Sequence, residues 1–187
     1  MKRIAITGTH GVGKTTLSFS IASFFKEQAV LVNSRLARTM IKEGYPLGKE
    51  ASIESYIQYI VRQLRIEQKA SKCDLFISDR TLLDPLSYAV VNNRNHFSAI
   101  PESVIALLEA TWLLEMKQYD LYVFVPIEFD VQSDGIRPEG EEYRIAVDNQ
   151  IYHFLNDNNV KYIRVTGSIE ERRDQVLQAL KQLDIYE

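Results

Sequence analysis

Eight residues near the start of the chain, Gly8-Thr9-His10-Gly11-Val12-Gly13-Lys14-Thr15, carry the spacing G-x-x-x-x-G-K-[ST] without a mismatch. Each residue type answers a need of a bound polyphosphate. The glycines let the main chain curl so that successive N–H groups converge on phosphate oxygens. A helix that opens at the loop adds the positive end of its dipole, and Thr16 falls in its first turn. The Lys14 ammonium can reach β- and γ-phosphates, and the Thr15 hydroxyl is a hard oxygen ligand suited to Mg²⁺. His10 stands where mainly a backbone N–H is needed, so its ring has no assigned chemistry. Residues Gly8 to Thr16 are therefore expected to hold a nucleoside triphosphate with Mg²⁺, Lys14 also stabilising charge during transfer.

Two further groups of residues could complete such a site. Leu75-Phe76-Ile77-Ser78-Asp79-Arg80-Thr81 is an apolar strand pattern that ends in Asp-Arg. An Asp at a strand end beside the phosphate loop can hold a metal ion or accept a proton from an attacking hydroxyl. Arg80 beside it can bind a phosphate, and the plain alternative for the pair is a strand-ending ion pair. Asp84 reads either as an acceptor contact or as a helix N-cap before Pro85. Asp134 to Arg144 is a polar, glycine-containing segment running into a helix, and it carries Arg137 and Arg144. If it closes over the site at about 133–144, both arginines meet the transferring phosphoryl group. Otherwise they are solvated charges among Asp134, Glu139, Glu141 and Glu142.

Elements that would position these groups follow from hydrophobic periodicity. Continuous apolar runs at Lys2–Thr7, Gln28–Asn33, Asp74–Ser78, Leu121–Pro126 and Lys161–Val165 read as strands buried on both faces. Helices are expected at Thr16–Glu27, with Leu17, Ile21, Phe24 and Phe25 inward, and along Ile53, Tyr56, Ile57, Ile60, Val61 and Leu64, one apolar stripe. Val104–Leu114 is apolar on most sides and reads as a helix buried against the sheet or against a second copy, which leaves a homodimer open. A further helix carries Val147, Ile151, Phe154 and Leu155. Ser168 to Glu171 has capping-box spacing and opens the last one. Strands alternating with helices give an α/β fold, three-layered, with a central parallel five-stranded sheet covered by helices on both faces. Ligands of such sheets bind at the carboxyl ends of the strands, and the chemical candidates all fall there.

The Asp-Arg strand end and its continuation to Ala89 resemble the corresponding region of thymidylate kinases and deoxynucleoside kinases. The run Ser78-Asp79-Arg80, then Asp84, then Tyr88, is similar to that of small P-loop proteins that include the ribosylnicotinamide kinase domain. The resemblance spans residues 4 to 144 and implies the P-loop NTPase fold and phosphoryl transfer from ATP, with Mg²⁺, to a small acceptor. By the same resemblance Asp79 is catalytic base or Mg²⁺ organiser, Arg80 and Asp84 face the acceptor, and Arg137 and Arg144 belong to a lid. One departure stands out. The family commonly places a glutamate just before Ala-Arg after the second strand, where this chain reads Asn33-Ser34-Arg35-Leu36-Ala37-Arg38. Arg35 and Arg38 suit an anionic acceptor such as a nucleoside monophosphate, or equally form a solvated helix face. Thr166-Gly167-Ser168 lies where related kinases contact adenine, and helix capping alone also explains it.

Bulk properties narrow the alternatives. At 187 residues, 45% apolar and 25% charged, the chain suits one folded domain, residues 1–187, rather than a disordered segment. A net charge of -3 argues against nucleic acid and anionic membranes as partners. The single cysteine, Cys73, reads as a structural thiol and suits a reducing, cytoplasmic setting. The apolar stretch after Met1-Lys2-Arg3 is too short for a signal peptide, and no run approaches the ~18 residues of a membrane span. Two other functions compete with a small-molecule kinase. One is a nucleotide-dependent switch or interaction module, supported by the missing glutamate. The other is a kinase acting on nucleic acid through Arg35, Arg38, Lys42 and Lys49.

Overall fold

The expected apolar runs form five strands, β1 (Lys2–Thr7), β2 (Val30–Asn33), β3 (Leu75–Asp79), β4 (Leu121–Phe124) and β5 (Tyr162–Arg164). All pair in parallel, in the order β2-β3-β1-β4-β5. The computed structural model describes residues 1–25, 28–128 and 140–183. Ile4, Ala5 and Ile6 are each fully buried, which is why the strand pattern is continuous rather than alternating. Register brings Ile6 level with Asp79, and Thr7 level with Phe124. The carboxyl ends of β1, β3 and β4 thus open onto one crevice.

Seven α-helices cover the sheet among the described residues. α1 (Lys14–Ala22) and α7 (Ile169–Gln182) pack Leu17, Ile21, Val176 and Leu180 on one face, against Ile4, Ile6, Ile77 and Val123. α2 (Leu36–Lys42), α3 (Ile53–Ala70), α4 (Leu83–Arg94), α5 (Glu102–Glu115) and α6 (Glu141–Asp157) bury the other, around Ala5, Phe76, Tyr122 and Phe124. Ser168 closes a full capping box with Glu171 at the start of α7, as its spacing predicts. No helix among the described residues is long and apolar enough to cross a membrane.

Three helices depart from their sequence patterns. α1 begins at Lys14 and stops at Ala22, short of the expected Glu27, which lies outside the described residues. The hydroxyls of Ser18 and Ser23 turn back onto the Thr15 and Ser20 carbonyls. The amides of Phe24 and Phe25 then bond three residues back rather than four. Phe25 is buried as expected, but Phe24 is exposed. α5 faces inward with Val104, Leu108, Trp112 and Glu115 and leaves Leu107 and Leu114 exposed, so it is half a surface helix.

The largest departure is α3. Tyr56 and Ile60 are buried, but Ile53, Ile57, Val61 and Leu64 are 37–45% exposed. Polar residues occupy the inward face instead. Gln63 lies fully buried, accepting from Asn33 at 3.1 Å and donating to Ser78 at 3.2 Å and Glu67 at 2.8 Å. Tyr119 also donates to Glu67, at 2.9 Å. This buried network outweighs the apolar stripe because Gln63, Asn33 and Ser78 would each pay desolvation if left unpaired. Gln63→Leu is therefore expected to destabilise the protein by about 2–3 kcal/mol in urea unfolding, and Val61→Lys by less than about 0.5 kcal/mol. The reverse ranking would show that the apolar stripe orients α3.

Candidate active site

The β1–α1 turn carries the phosphate-loop residues. Gly8 sits at φ 150, and a Cβ there would collide with the Val125 carbonyl. Gly13, at φ 89, is the N-cap of α1 in the left-handed region. Within the helix the first bonded amide is that of Leu17, to the Gly13 carbonyl at 3.0 Å, and the amides ahead of it have no intrahelical acceptor. Thr16 is exposed in this first turn, while Val12 tucks into the core.

Lys14 is almost fully buried and donates to the Thr9 carbonyl. Burial, with help from Arg80 nearby, lowers its ammonium to about 7. A phosphate anion beside it would restore the charge. Thr15 Oγ1 donates to Asp79 Oδ2, and the other Asp79 oxygen is buried without a hydrogen-bond partner. A hydroxyl and an unsatisfied carboxylate oxygen are donors of the kind Mg²⁺ takes, so the residues present fit that ion.

Three cations meet the carbonyls of this loop. Besides Lys14, Arg144 Nε of α6 donates to the His10 carbonyl at 3.3 Å and pairs with Glu141 at 2.8 Å. Arg172 of α7 donates to the Val12 carbonyl at 2.8 Å and pairs with Glu128 at 2.8 Å. Glu128 also accepts from the Gly167 amide at 2.8 Å. Sequence reasoning missed Arg172 and Glu128. No motif marks them, and the one available signal was their place just past the ends of β5 and β4. It also missed Asp148 on α6, whose carboxyl burial pushes up to about 6, with Lys14 and Arg144 among its charged neighbours. Arg137, with lid residues 133–139, lies outside the described residues.

A cavity of about 430 Å³ opens beside the loop. Tyr56, Tyr59, Tyr88 and Tyr143 wall it with Ala37, Ile41 and Leu47, and Arg80 and Asp84 stand among its lining residues with His10. Tyr88 ties the wall to the loop, accepting from the His10 amide at 3.1 Å and lying 2.9 Å from His10 Nδ1. Burial, then Arg144, lowers the His10 imidazole, which favours its neutral form. Asp84 accepts from Arg80 at 3.0 Å, the Thr81 amide at 3.1 Å and the Thr7 hydroxyl at 3.2 Å. It occupies the first turn of α4, whose N-cap is Leu82 rather than Asp84. The structure thus gathers Gly8 to Thr16, Asp79, Arg80, Asp84 and Arg144. It does not bring Arg35 or Arg38 to the cavity: both are exposed, and α2 offers Ala37 and Ile41 there instead.

Lys14 gives the site a pH signature. Between about 7 and its ordinary value of 10.5 the unfolded chain holds a proton that the folded protein lacks. Stability measured without nucleotide therefore rises across that window, by at most about 1.4 kcal/mol per pH unit, and the gain is lost as pH falls to 7. In thermal melts from pH 7 to 9, wild type should climb relative to Lys14→Met. Parallel curves would mean that Lys14 carries no burial penalty.

Comparison with known proteins bears on the family and the fold. Dephospho-CoA kinase of Aquifex aeolicus (strain VF5) is 26% identical, with 98% of each chain covered. Among solved structures, the NadR protein in complex with NR superposes at TM-score 0.73 with 18% identity, covering all of this chain and 52% of that one. Deoxyadenosine kinase from M. mycoides with bound dATP gives 0.69 and 17%, covering 97% and 100%. Thymidylate kinase from Ehrlichia chaffeensis gives 0.65 and 16%, covering 96% and 98%. These structures share the α/β P-loop kinase fold with this chain. Residues 3–172 match the AAA domain family, and the chain belongs to that family.

Proposed function

We propose that this P-loop kinase moves the γ-phosphoryl group of ATP to a hydroxyl of a neutral, nucleoside-type acceptor held in the tyrosine-walled cavity. The observation that carries the reading is the cavity itself. It adjoins the phosphate loop, its walls are mainly aromatic and aliphatic, and its charged lining residues are Lys49 and the ion pair of Asp84 with Arg80. Aromatic walls suit a planar base, and a carboxylate suits a hydroxyl. A nucleoside monophosphate needs clustered free cations; Arg35 and Arg38 do not line this space, Arg80 is paired with Asp84, and the Lys49 ammonium lies over the Phe97 and Tyr143 rings at 4.8 and 5.2 Å. The geometry therefore favours the neutral acceptor over the anionic one that those arginines suggest.

In this reading the loop amides, Lys14 and the α1 N-terminus hold the β- and γ-phosphates in line with the acceptor. Thr15 and Asp79 hold Mg²⁺, which when bound neutralises charge on the phosphate oxygens. Asp84 accepts a hydrogen bond from the acceptor hydroxyl. As the oxygen–phosphorus bond forms and the β–γ bridging bond breaks, the hydroxyl proton passes to that carboxylate and ADP leaves. Arg80 and Arg144 face the charge that spreads over the transferring group, and Arg137 joins them if residues 133–144 close as a lid.

Labelled ATP with a panel of nucleosides, nucleoside monophosphates and dephospho-CoA tests the reading. Transfer to a nucleoside with Mg²⁺ is expected, and Lys14→Ala should lower kcat/KM by roughly 10³-fold or more, since positioning and charge stabilisation supply most of the catalysis. Preferred transfer to monophosphates or to dephospho-CoA would overturn the neutral-acceptor assignment. Saturable ATP binding without transfer to any acceptor would favour a nucleotide-dependent switch.

A further inference from the structure

β3 leaves the sheet through a turn that side-chain-bearing residues avoid. Arg80 has φ 83, in the left-handed region. Four main-chain polar groups of this turn are bound. The Arg80 amide donates to the Ile6 carbonyl at 2.9 Å, and the Arg80 carbonyl accepts from Ser78 Oγ at 2.6 Å. The Thr81 amide goes to Asp84, and the Leu82 amide donates to Glu115 Oε2 at 3.0 Å. Glu115 comes from α5, is 1% exposed and does not line the cavity.

Behind the turn, Ser78 Oγ accepts from Gln63 and, at 3.3 Å, from Asn33. Gln63 reaches Glu67, also buried, so Ser78 and Glu115 are linked to one carboxyl-rich cluster. Glu67 Oε2 and Glu115 Oε1 both lack a hydrogen-bond partner. Burial, then the neighbouring Glu67 carboxyl, pushes the Glu115 carboxyl well above the ordinary range. A proton held by Glu115 and donated to Glu67 would satisfy both orphans, while the other Glu115 oxygen takes the Leu82 amide. Other titratable groups around the pair are Arg3, 3.6 Å from Glu67, and Tyr59, Tyr119 and Tyr122.

We propose that Glu115, backed by Glu67 and Ser78, is a positioning residue that holds the Arg80 turn in its left-handed form. It thereby aims Arg80 at the cavity and Asp79 at Thr15. The inference rests on the phosphoryl-transfer reading for its kinetic consequence alone.

Glu115→Gln keeps an acceptor for Leu82 and supplies a permanent donor to Glu67, whereas Glu115→Met keeps length and removes both. Amide hydrogen exchange over residues 78–84 should accelerate about tenfold at Leu82 in Glu115→Met, the loss of one hydrogen bond's worth of protection, and stay at the wild-type rate in Glu115→Gln. Ser78→Ala, which frees the Arg80 carbonyl, should give the same local acceleration. With an acceptor in hand, Glu115→Met should lower kcat about tenfold while KM for ATP stays within about twofold, and Glu115→Gln should rescue it. Because the folded carboxyl holds a proton that the unfolded chain releases above its ordinary value of 4.5, wild type should lose stability relative to Glu115→Gln as pH rises. The gap should widen by about 3 °C per pH unit until the folded carboxyl itself ionises. Wild-type exchange at Leu82 in Glu115→Met, or acceleration spread evenly over the chain, overturns the positioning role whether or not transfer is found. Absence of transfer with the local exchange effect intact overturns only the kinase reading.

Discussion

A loop that turns its amides toward one ligand must dispose of its carbonyls elsewhere, and the site is built around that constraint. The carbonyls of Thr9, His10 and Val12 each meet a cation, from Lys14, Arg144 and Arg172. Those cations come from α1, α6 and α7, on opposite faces of the sheet. The curl of the main chain is thus held by side chains from both layers as well as by its own glycines. Burying Lys14, with Arg80 nearby, carries a cost visible in its lowered ammonium, and a polyphosphate is the ligand that would offset it.

The phosphate loop was legible because its chemistry is local. Backbone amides, a lysine and a hydroxyl must follow one another at fixed spacing, so Gly8 to Thr15 can be read without knowing the fold. The strands were legible for a related reason: burial on both faces leaves unbroken apolar runs. Arg172 was not legible, since its meeting with Val12 exists only once β5 lies beside β4 and α7 packs on α1. Arg35 and Arg38 showed charge at a promising place in the chain, but the direction of α2 decided which of its residues meet the cavity.

α3 exposes a deeper limit. Periodicity found its apolar stripe but could not know that Asn33, Ser78 and Glu67 would converge on Gln63 and require a polar face inward. A buried network is specified by partners distant in sequence, and any one of them looks like a surface residue when read alone. The exposed Ile53, Ile57, Val61 and Leu64 are what remains when that network wins.

The two layers also divide the chemistry. α1 and α7 cover the face that supplies the phosphate loop's helix and Arg172, whereas α2 to α6 cover the face that holds the cavity. β1 and β3 are shared, and both end at the crevice: β1 in Gly8, β3 in Asp79 and Arg80. Consecutive residues on a strand point to opposite faces, so Asp79 turns toward Thr15 while Ser78 turns toward α3. A single residue more or less in β3 would exchange those directions. The site therefore depends on strand register as much as on residue type, and the bonds that hold the Arg80 turn keep that register from slipping at the end where it matters.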